Sequence, residues 1–162
     1  MTDRQILGNI KQAIITRPDD LVAYEDYFQL QRLISENEGV RGTLADNRFL
    51  RNELQKLIQR KPTTDKVIEG HELLKKTYLY SAKEIFEDYM IYLEWNRPPQ
   101  ERFFLPRIHV MGKIARQIQR LADDELDELF FSLPPRVGKT TLIMFLMTWL
   151  IGRDSERSNL YS

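Results

Sequence analysis

The fold prediction depends on one stretch of the sequence, Leu133-Pro134-Pro135-Arg136-Val137-Gly138-Lys139-Thr140-Thr141. The residues just before the prolines, 129–133, read Leu-Phe-Phe-Ser-Leu, a short apolar run that is typical of a buried strand. Residues 140–151 are apolar on every side, as in a helix packed inside a larger domain, and Gly152 is placed to end that helix with a left-handed cap. The order of strand, loop and helix predicts the start of an α/β phosphate-loop NTPase domain.

The loop has residue types that bind phosphate at the start of a helix. Backbone N–H groups and the helix dipole both favour an anion at that position, and Gly138 permits close approach of the backbone. We expect Lys139 to contact the β- and γ-phosphates of a nucleotide and the Thr140 hydroxyl to ligate the Mg²⁺ ion that bridges them. Thr141 is a candidate for the α-phosphate. The sequence therefore predicts ATP and Mg²⁺ as ligands.

The loop also departs from the usual Gly-x-x-x-x-Gly-Lys-Thr pattern. Its first glycine would fall at Leu133, and two of the following positions are prolines, which have no N–H to offer a phosphate. Arg136 adds a second cation and is the candidate catalytic group, a cis arginine sensor or finger for the γ-phosphate. An alternative is that Gly-Lys-Thr is a chance turn and Arg136 a surface charge. The predicted nucleotide-binding residues are Pro135, Arg136, Val137, Gly138, Lys139, Thr140 and Thr141.

The sequence up to about residue 95 has the period of amphipathic helices. Five apolar stripes with helical spacing begin at Ile6, Tyr24, Leu50, Leu73 and Ile85. Ser and Glu at positions 81 and 84 match a capping box at the start of the fifth helix. The prolines at 98 and 99 disfavour helix, so we expect a helical region over 1–97 and the beginning of an ATPase domain over 98–162. The fold class is thus mainly α, followed by the start of an α/β domain.

Composition restricts the class of protein. Of the 162 residues, 42% are hydrophobic and 30% are charged, which excludes a disordered tail. The longest apolar run, 142–150, is far shorter than the roughly 20 residues that cross a bilayer. The chain has no cysteine, and its first residues lack the pattern of a secretory signal, so we expect a cytoplasmic protein. The 24 basic and 24 acidic residues balance, so the net charge neither favours nor excludes nucleic acid.

Residues 85–162 resemble the large terminase subunit of tailed bacteriophages. The resemblance rests on Leu-Pro-Pro-Arg-x-Gly-Lys-Thr at 133–140, Trp-Asn-Arg-Pro-Pro at 95–99 and Phe-Leu-Pro-Arg at 104–107. In that family the Pro-Pro-Arg form of the loop replaces the glycine-rich form, and its arginine and lysine face the phosphates. The resemblance therefore implies these roles for Arg136 and Lys139.

The same resemblance implies a biological setting. Large terminase subunits couple ATP hydrolysis to the packaging of double-stranded DNA into an empty capsid, and a separate nuclease domain cuts the DNA. The implied partners are the small terminase subunit and the portal protein, and the implied location is the cytoplasm of the infected bacterial host. We therefore expect an oligomeric motor subunit with no membrane contact.

Several parts of such an enzyme are missing from this sequence. No apolar strand ending in Asp and Glu follows the loop, and there is no carboxylate cluster for a nuclease with two metal ions. We therefore expect either an N-terminal fragment of a longer protein, which we favour, or a truncated gene product, and in both cases the ATPase site lacks its Walker B strand and catalytic Glu. Family members also hold adenine upstream of the loop, where Arg107, His109 and Gln117 are candidates by position alone.

Two other functions stay open. In one, the helices of 1–95 form a non-catalytic module that docks on a packaging partner, and the loop is vestigial. In the other, the chain belongs to a different phosphate-loop ATPase, such as a helicase-like or chaperone-like protein.

The isolated chain is further expected to self-associate through an exposed apolar patch. This patch consists of Ile143, Phe145, Met147, Trp149 and Leu150.

Overall fold

The computed structural model describes residues 2–60, 63–134 and 136–153. Within these ranges the chain forms seven α-helices and two short 3₁₀ turns, the latter at Pro99–Glu101 and Leu105–Arg107. The helices are α1 (Asp3–Thr16), α2 (Leu21–Gly42), α3 (Leu44–Gln59), α4 (Thr64–Ala82), α5 (Phe86–Glu94), α6 (Ile108–Ala122) and α7 (Lys139–Arg153). They form two compact units, Met1–Ser81 and Ala82–Ser162. The domain boundary expected between residues 97 and 98 stays a prediction.

The predicted α/β start is wrong, because the described ranges contain helices and no strand. Residues 129–133 are irregular, and the side chain of Phe130 is 89% exposed. A buried strand needs neighbouring strands for its N–H and C=O groups, and the described residues offer none to this apolar run. The second strand expected at 159–162 lies outside the described residues.

The first unit contains α1 to α4, and the side chains of its predicted apolar stripes are buried or half-buried except for Ile6 and Leu33, which are exposed. Helix α1 packs on α2, and α2 packs on α3. Kinked backbone at Gly39, with φ +74°, interrupts the last turn of α2. Burial of the apolar faces removes large side chains from water and supplies most of the stabilisation of such short helices. The most deeply buried apolar side chains are Ile14, Tyr24, Tyr27, Leu50, Leu54 and Leu57.

An arginine on α1 joins the first three helices. Arg4 donates hydrogen bonds to both carboxylate oxygens of Glu38 on α2, and its Nη1 lies 2.5 Å from Oδ2 of Asp46 on α3. Its Nη2 also donates to the carbonyl of Gly42 at 3.1 Å. The hydrogen bond from Arg4 holds the pKa of Glu38 below its ordinary value. The ion pairs are partly exposed, so their effect depends on salt concentration.

A buried amide joins α2, α3 and α4. Asn47 is 1% exposed, and its Nδ2 donates to the carbonyl of Thr77 at 2.9 Å and to Oγ of Ser81 at 3.2 Å. Its Oδ1 accepts a hydrogen bond from Nε2 of Gln31 at 3.3 Å. Buried polar groups cost stability unless they are hydrogen-bonded, so Asn47 specifies how these three helices meet.

The helix boundaries correct two further predictions. Ser81 caps no helix, because it lies inside α4 with its Oγ donating to the carbonyl of Thr77 at 3.1 Å. Helix α5 begins at Phe86 instead of near Ser81. Gly152 also ends no helix, since it lies inside α7. A capping box does occur where none was predicted, between Thr2 and Gln5 at the start of α1.

The second unit contains α5, the two 3₁₀ turns, α6 and α7. Helix α5 packs on both α6 and α7. The indole of Trp149 on α7 lies 5.1 Å from the ring of Phe86, measured between centroids, and its Nε1 donates to the carbonyl of Ala82 at 2.9 Å. Within the described ranges, every helix is too short or too polar to cross a lipid bilayer.

The expected apolar patch on α7 is only partly exposed. Phe145 and Trp149 are 8% and 2% exposed, because they pack against the rings of Phe103 and Phe86 of the same unit, and the described residues form no sheet. The exposed apolar side chains of this helix are Met144 and Ile151. The prediction of an adhesive patch was therefore wrong for its two aromatic members.

Candidate phosphate-binding site

The loop before α7 has backbone conformations that favour glycine. Arg136 and Gly138 have φ values of +64° and +93°, both in the left-handed region. This conformation costs a residue with a Cβ on the order of 1–2 kcal/mol, so the Arg136 position is strained. The carbonyl of Gly138 accepts a hydrogen bond from the N–H of Leu142 at 3.0 Å, so the loop leads directly into the first turn of α7.

The predicted phosphate-binding side chains lie at the start of α7. Arg136, Lys139 and Thr140 are exposed. Val137, Gly138 and Thr141 are half-buried, whereas Pro135 lies outside the described residues. Two cationic side chains and one hydroxyl are thus accessible to a solute at a helix N-terminus, where free N–H groups and the dipole favour an anion.

An aromatic ring packs directly against the loop. A Cβ added to Gly138 would stand 2.2 Å from Cε2 of Phe103, a distance that no side chain can occupy without a shift. The Phe103 ring is largely buried, and its centroid lies 6.0 Å from that of Phe145 on α7. Glycine is therefore needed at position 138 for two reasons: the backbone is left-handed there, and the ring of Phe103 leaves no space for a side chain.

Two further arginines lie beside these aromatic rings. The guanidinium carbon of Arg107 is 5.7 Å from the Phe103 centroid, and its Nη1 donates to the Phe103 carbonyl at 3.0 Å. The guanidinium carbon of Arg97 is 5.8 Å from the Phe145 centroid. Both distances are within the range of cation–π attraction. Two arginines thus lie beside the rings of Phe103 and Phe145, in addition to the cationic side chains of the loop itself.

The three adenine candidates differ in position. Arg107 contacts Phe103 and is thereby brought next to the ring that meets Gly138. His109 and Gln117 are exposed on α6, and Oε1 of Gln117 accepts a hydrogen bond from Arg120 at 3.0 Å. Only Arg107 has a described contact to the residues that support the loop, and adenine binding stays a prediction for all three.

A buried carboxylate that was not predicted from the sequence binds the backbone of residues 103–105, next to the loop. Glu94, the last residue of α5, is 0% exposed. Its Oε1 accepts from the N–H of Phe103 at 2.6 Å and from that of Phe104 at 2.9 Å. Its Oε2 accepts from Phe104 at 3.0 Å and from the N–H of Leu105 at 3.1 Å. These N–H groups precede or begin a helical turn and have no partner within it.

The sequence did contain a signal for Glu94. Phe86, Met90 and Glu94 are spaced by four residues, and all three are 0% exposed. The stripe predicted from Ile85 and Tyr89 is displaced by one residue from this buried face, so it did not point to Glu94. A charged residue that continues an apolar i, i+4 stripe at a helix end predicts a buried anion with backbone donors.

No group of three or more potential metal ligands among His, Cys, Asp and Glu occurs in the described part of the chain. The predicted Mg²⁺ ligand, the Thr140 hydroxyl, lies on the first turn of α7 and is exposed. Its role therefore stays a prediction, and it would need the phosphate oxygens of a nucleotide as further ligands.

Comparison with known proteins identifies no relative. No protein-family model, no curated protein and no solved structure matches this chain.

Proposed function

We propose that this chain binds the phosphate groups of ATP, together with Mg²⁺, through residues 136–141. The observation that carries the proposal is the set of exposed Arg136, Lys139 and Thr140 side chains around Gly138 at the start of α7. A helix N-terminus with two cations beside it has the electrostatics of an anion site. The site needs no preceding strand, because its donors come from the loop, the first turn and the side chains.

The chemistry of these donors fits a nucleoside triphosphate. Lys139 supplies a compact ammonium, whereas Arg136 supplies a planar guanidinium that can donate two parallel hydrogen bonds to one phosphate. The Thr140 hydroxyl is a hard oxygen ligand of the kind that Mg²⁺ accepts. Bound ATP would supply a γ-phosphoryl group whose transfer to water releases free energy. In this proposal Lys139 binds the β- and γ-phosphates, Arg136 holds the γ-phosphate as a sensor or finger, and Thr141 contacts the α-phosphate.

We further propose that this nucleotide site belongs to a DNA-packaging motor, as the resemblance to large terminase subunits implies. Two segments that carry that resemblance lie on either side of Phe103: 95–99 ends four positions before it and 104–107 follows it directly. The ring of Phe103 packs against the loop. This arrangement supports a common role for the three motifs. The proposed partners are double-stranded DNA, the small terminase subunit and the portal protein, in the cytoplasm of an infected bacterium.

A helical docking module is the second candidate function. A surface groove of about 320 Å³ lies on the first unit between α2 and α4. Its apolar wall includes Val22, which is 69% exposed, and three glutamates and a lysine line the remainder. An exposed apolar groove with a charged rim favours binding of a protein partner. Retention of a small terminase subunit or portal protein by a full-length chain that does not bind ATP would support this candidate, and failure to retain either partner would contradict it.

Binding of a fluorescent ATP analogue with Mg²⁺ tests the proposed function. Replacement of Lys139 by alanine should weaken binding by about tenfold or more, since a charge-assisted hydrogen bond to phosphate is lost. Lys113→Ala is the matched control, because this lysine is exposed on α6. Equal affinity of Lys139→Ala and the wild-type chain would refute the phosphate assignment.

A further inference from the structure

We propose that Glu94 is a positioning residue for the phosphate-binding loop and acts on it through Phe103. This inference rests on the proposed function, because Glu94 is assigned the role of fixing the conformation of the same phosphate-binding loop. Glu94 lies 44 positions before Gly138 in the sequence, and it makes its contacts with the backbone of residues 103–105.

The first step of the argument is the strength of the anchor. The carboxylate of Glu94 is fully buried and accepts from three consecutive backbone N–H groups, at 2.6 to 3.1 Å. Hydrogen bonds to a charged acceptor are about twice as strong as those between neutral groups. Removal of such an acceptor leaves buried donors unsatisfied, and each costs about 1–3 kcal/mol. The backbone position of Phe103 is therefore fixed from the end of α5.

The second step is that three further contacts hold Phe103 in place. Its carbonyl accepts from Arg107, and its ring lies near the ring of Phe145 on α7. The same ring fills the space next to Gly138 where a Cβ would stand. A displacement of the Phe103 backbone must move this ring, and Gly138 then loses its packing contact with the ring.

The third step concerns the residue type that this position requires. Both oxygens of Glu94 act as acceptors. Glutamine has nearly the same shape but carries an NH₂ group in place of one oxygen, and this group donates hydrogen bonds. In Glu94→Gln an N–H would therefore face the backbone N–H groups of residues 103–105. Ordinary filling of space by the side chain would tolerate glutamine, whereas anchoring of these donors would not.

The test measures the loop and its ligand separately. In the chain without nucleotide, amide hydrogen exchange is followed by NMR at Leu142, whose bond to the Gly138 carbonyl closes the loop onto α7, and at Trp149 as a reference in the same helix. Binding of the fluorescent ATP analogue with Mg²⁺ is then measured below the melting temperature of each variant. The variants are Glu94→Gln and Phe103→Leu, and the latter keeps the N–H groups that Glu94 binds. Glu101→Gln is the control, since this glutamate is exposed in the same unit.

We expect both variants to accelerate exchange at Leu142 more than at Trp149 and to weaken binding of the analogue by about threefold to thirtyfold. The control should change neither quantity. Unchanged relative exchange at Leu142 in folded Glu94→Gln would overturn the inference, and Phe103→Leu decides the matter if Glu94→Gln does not fold. If the wild-type chain does not bind the analogue, the proposed function fails, whereas the exchange data still decide whether Glu94 positions the loop.

Discussion

The ring of Phe103 occupies the space in which a side chain on Gly138 would begin, with 2.2 Å between Cε2 and an added Cβ. Gly138→Ala should therefore destabilise the second unit by about 1–3 kcal/mol through its left-handed backbone alone, and further through the clash. Both tryptophans of the chain lie in this unit, so the tryptophan fluorescence during urea unfolding measures the loss.

Gly152→Ala is the matched control for this substitution. Gly152 lies in α7 and has no atom within 4 Å of an added Cβ. Alanine there should stabilise the helix by up to about 1 kcal/mol. Equal stability of Gly138→Ala and the wild-type chain would show that Phe103 and the loop are not packed as described.

Trp149 should be the strongest single contributor to the core of the second unit. Trp149→Phe removes the hydrogen bond from Nε1 to the Ala82 carbonyl and leaves a cavity beside Phe86. The expected loss is about 2–3 kcal/mol, from an unsatisfied carbonyl and lost packing. Circular dichroism during urea unfolding checks it, with Met144→Ala as the exposed control in the same helix. Similar losses for the two variants would contradict the burial of Trp149.

The helices were predictable from the sequence because burial of one face imposes a period of about 3.6 residues on the apolar positions. The irregular conformation of residues 129–133 was not predictable, because a short apolar run has no period of its own and is compatible with both a strand and irregular chain. Partner strands, which no local pattern reports, decide between these states. Phe130 is accordingly exposed although its neighbours in sequence are apolar.

The candidate site was predictable in part for a similar reason. Arg136, Gly138 and Lys139 are adjacent in sequence, so their spacing alone indicates a common site. Phe103 meets this loop only through a tertiary contact across more than thirty positions of sequence, and among the described residues Glu94 contacts Phe103 and not the loop. A carboxylate reads as surface charge until its backbone donors are known.

Asn47 should be essential for the packing of the first unit. Asn47→Ala removes two hydrogen bonds to α4 and the oxygen that accepts from Nε2 of Gln31, so this buried amide group loses its partner. The expected loss in the free energy of unfolding is about 2–4 kcal/mol. Thermal unfolding by circular dichroism checks this value. Asn52→Ala is the control, since Asn52 is exposed on the same helix and alanine should be neutral or slightly stabilising there.

The ion pair between Arg4 and Glu38 should make the stability of the first unit depend on acid pH. The hydrogen bond from Arg4 lowers the pKa of Glu38 in the folded chain below its ordinary value of 4.5. The unfolded chain therefore takes up the proton first, and the stabilisation is fully present above about pH 4.5 and is lost as the pH falls through the folded pKa.

The measurement compares the wild-type chain with Arg4→Gln in urea unfolding followed by circular dichroism, at pH 6 and again at pH 3. The wild type should be more stable at pH 6, and the difference should be smaller at pH 3, because protonation of Glu38 at acid pH removes its ion pair with Arg4. Added salt should reduce the difference at pH 6 because the pair is partly exposed. Arg32→Gln, an exposed change on α2, corrects for the loss of net charge. A difference that is independent of pH would mean that Arg4 stabilises the helices through packing and its bond to the Gly42 carbonyl, and not through its ion pairs with Glu38 and Asp46.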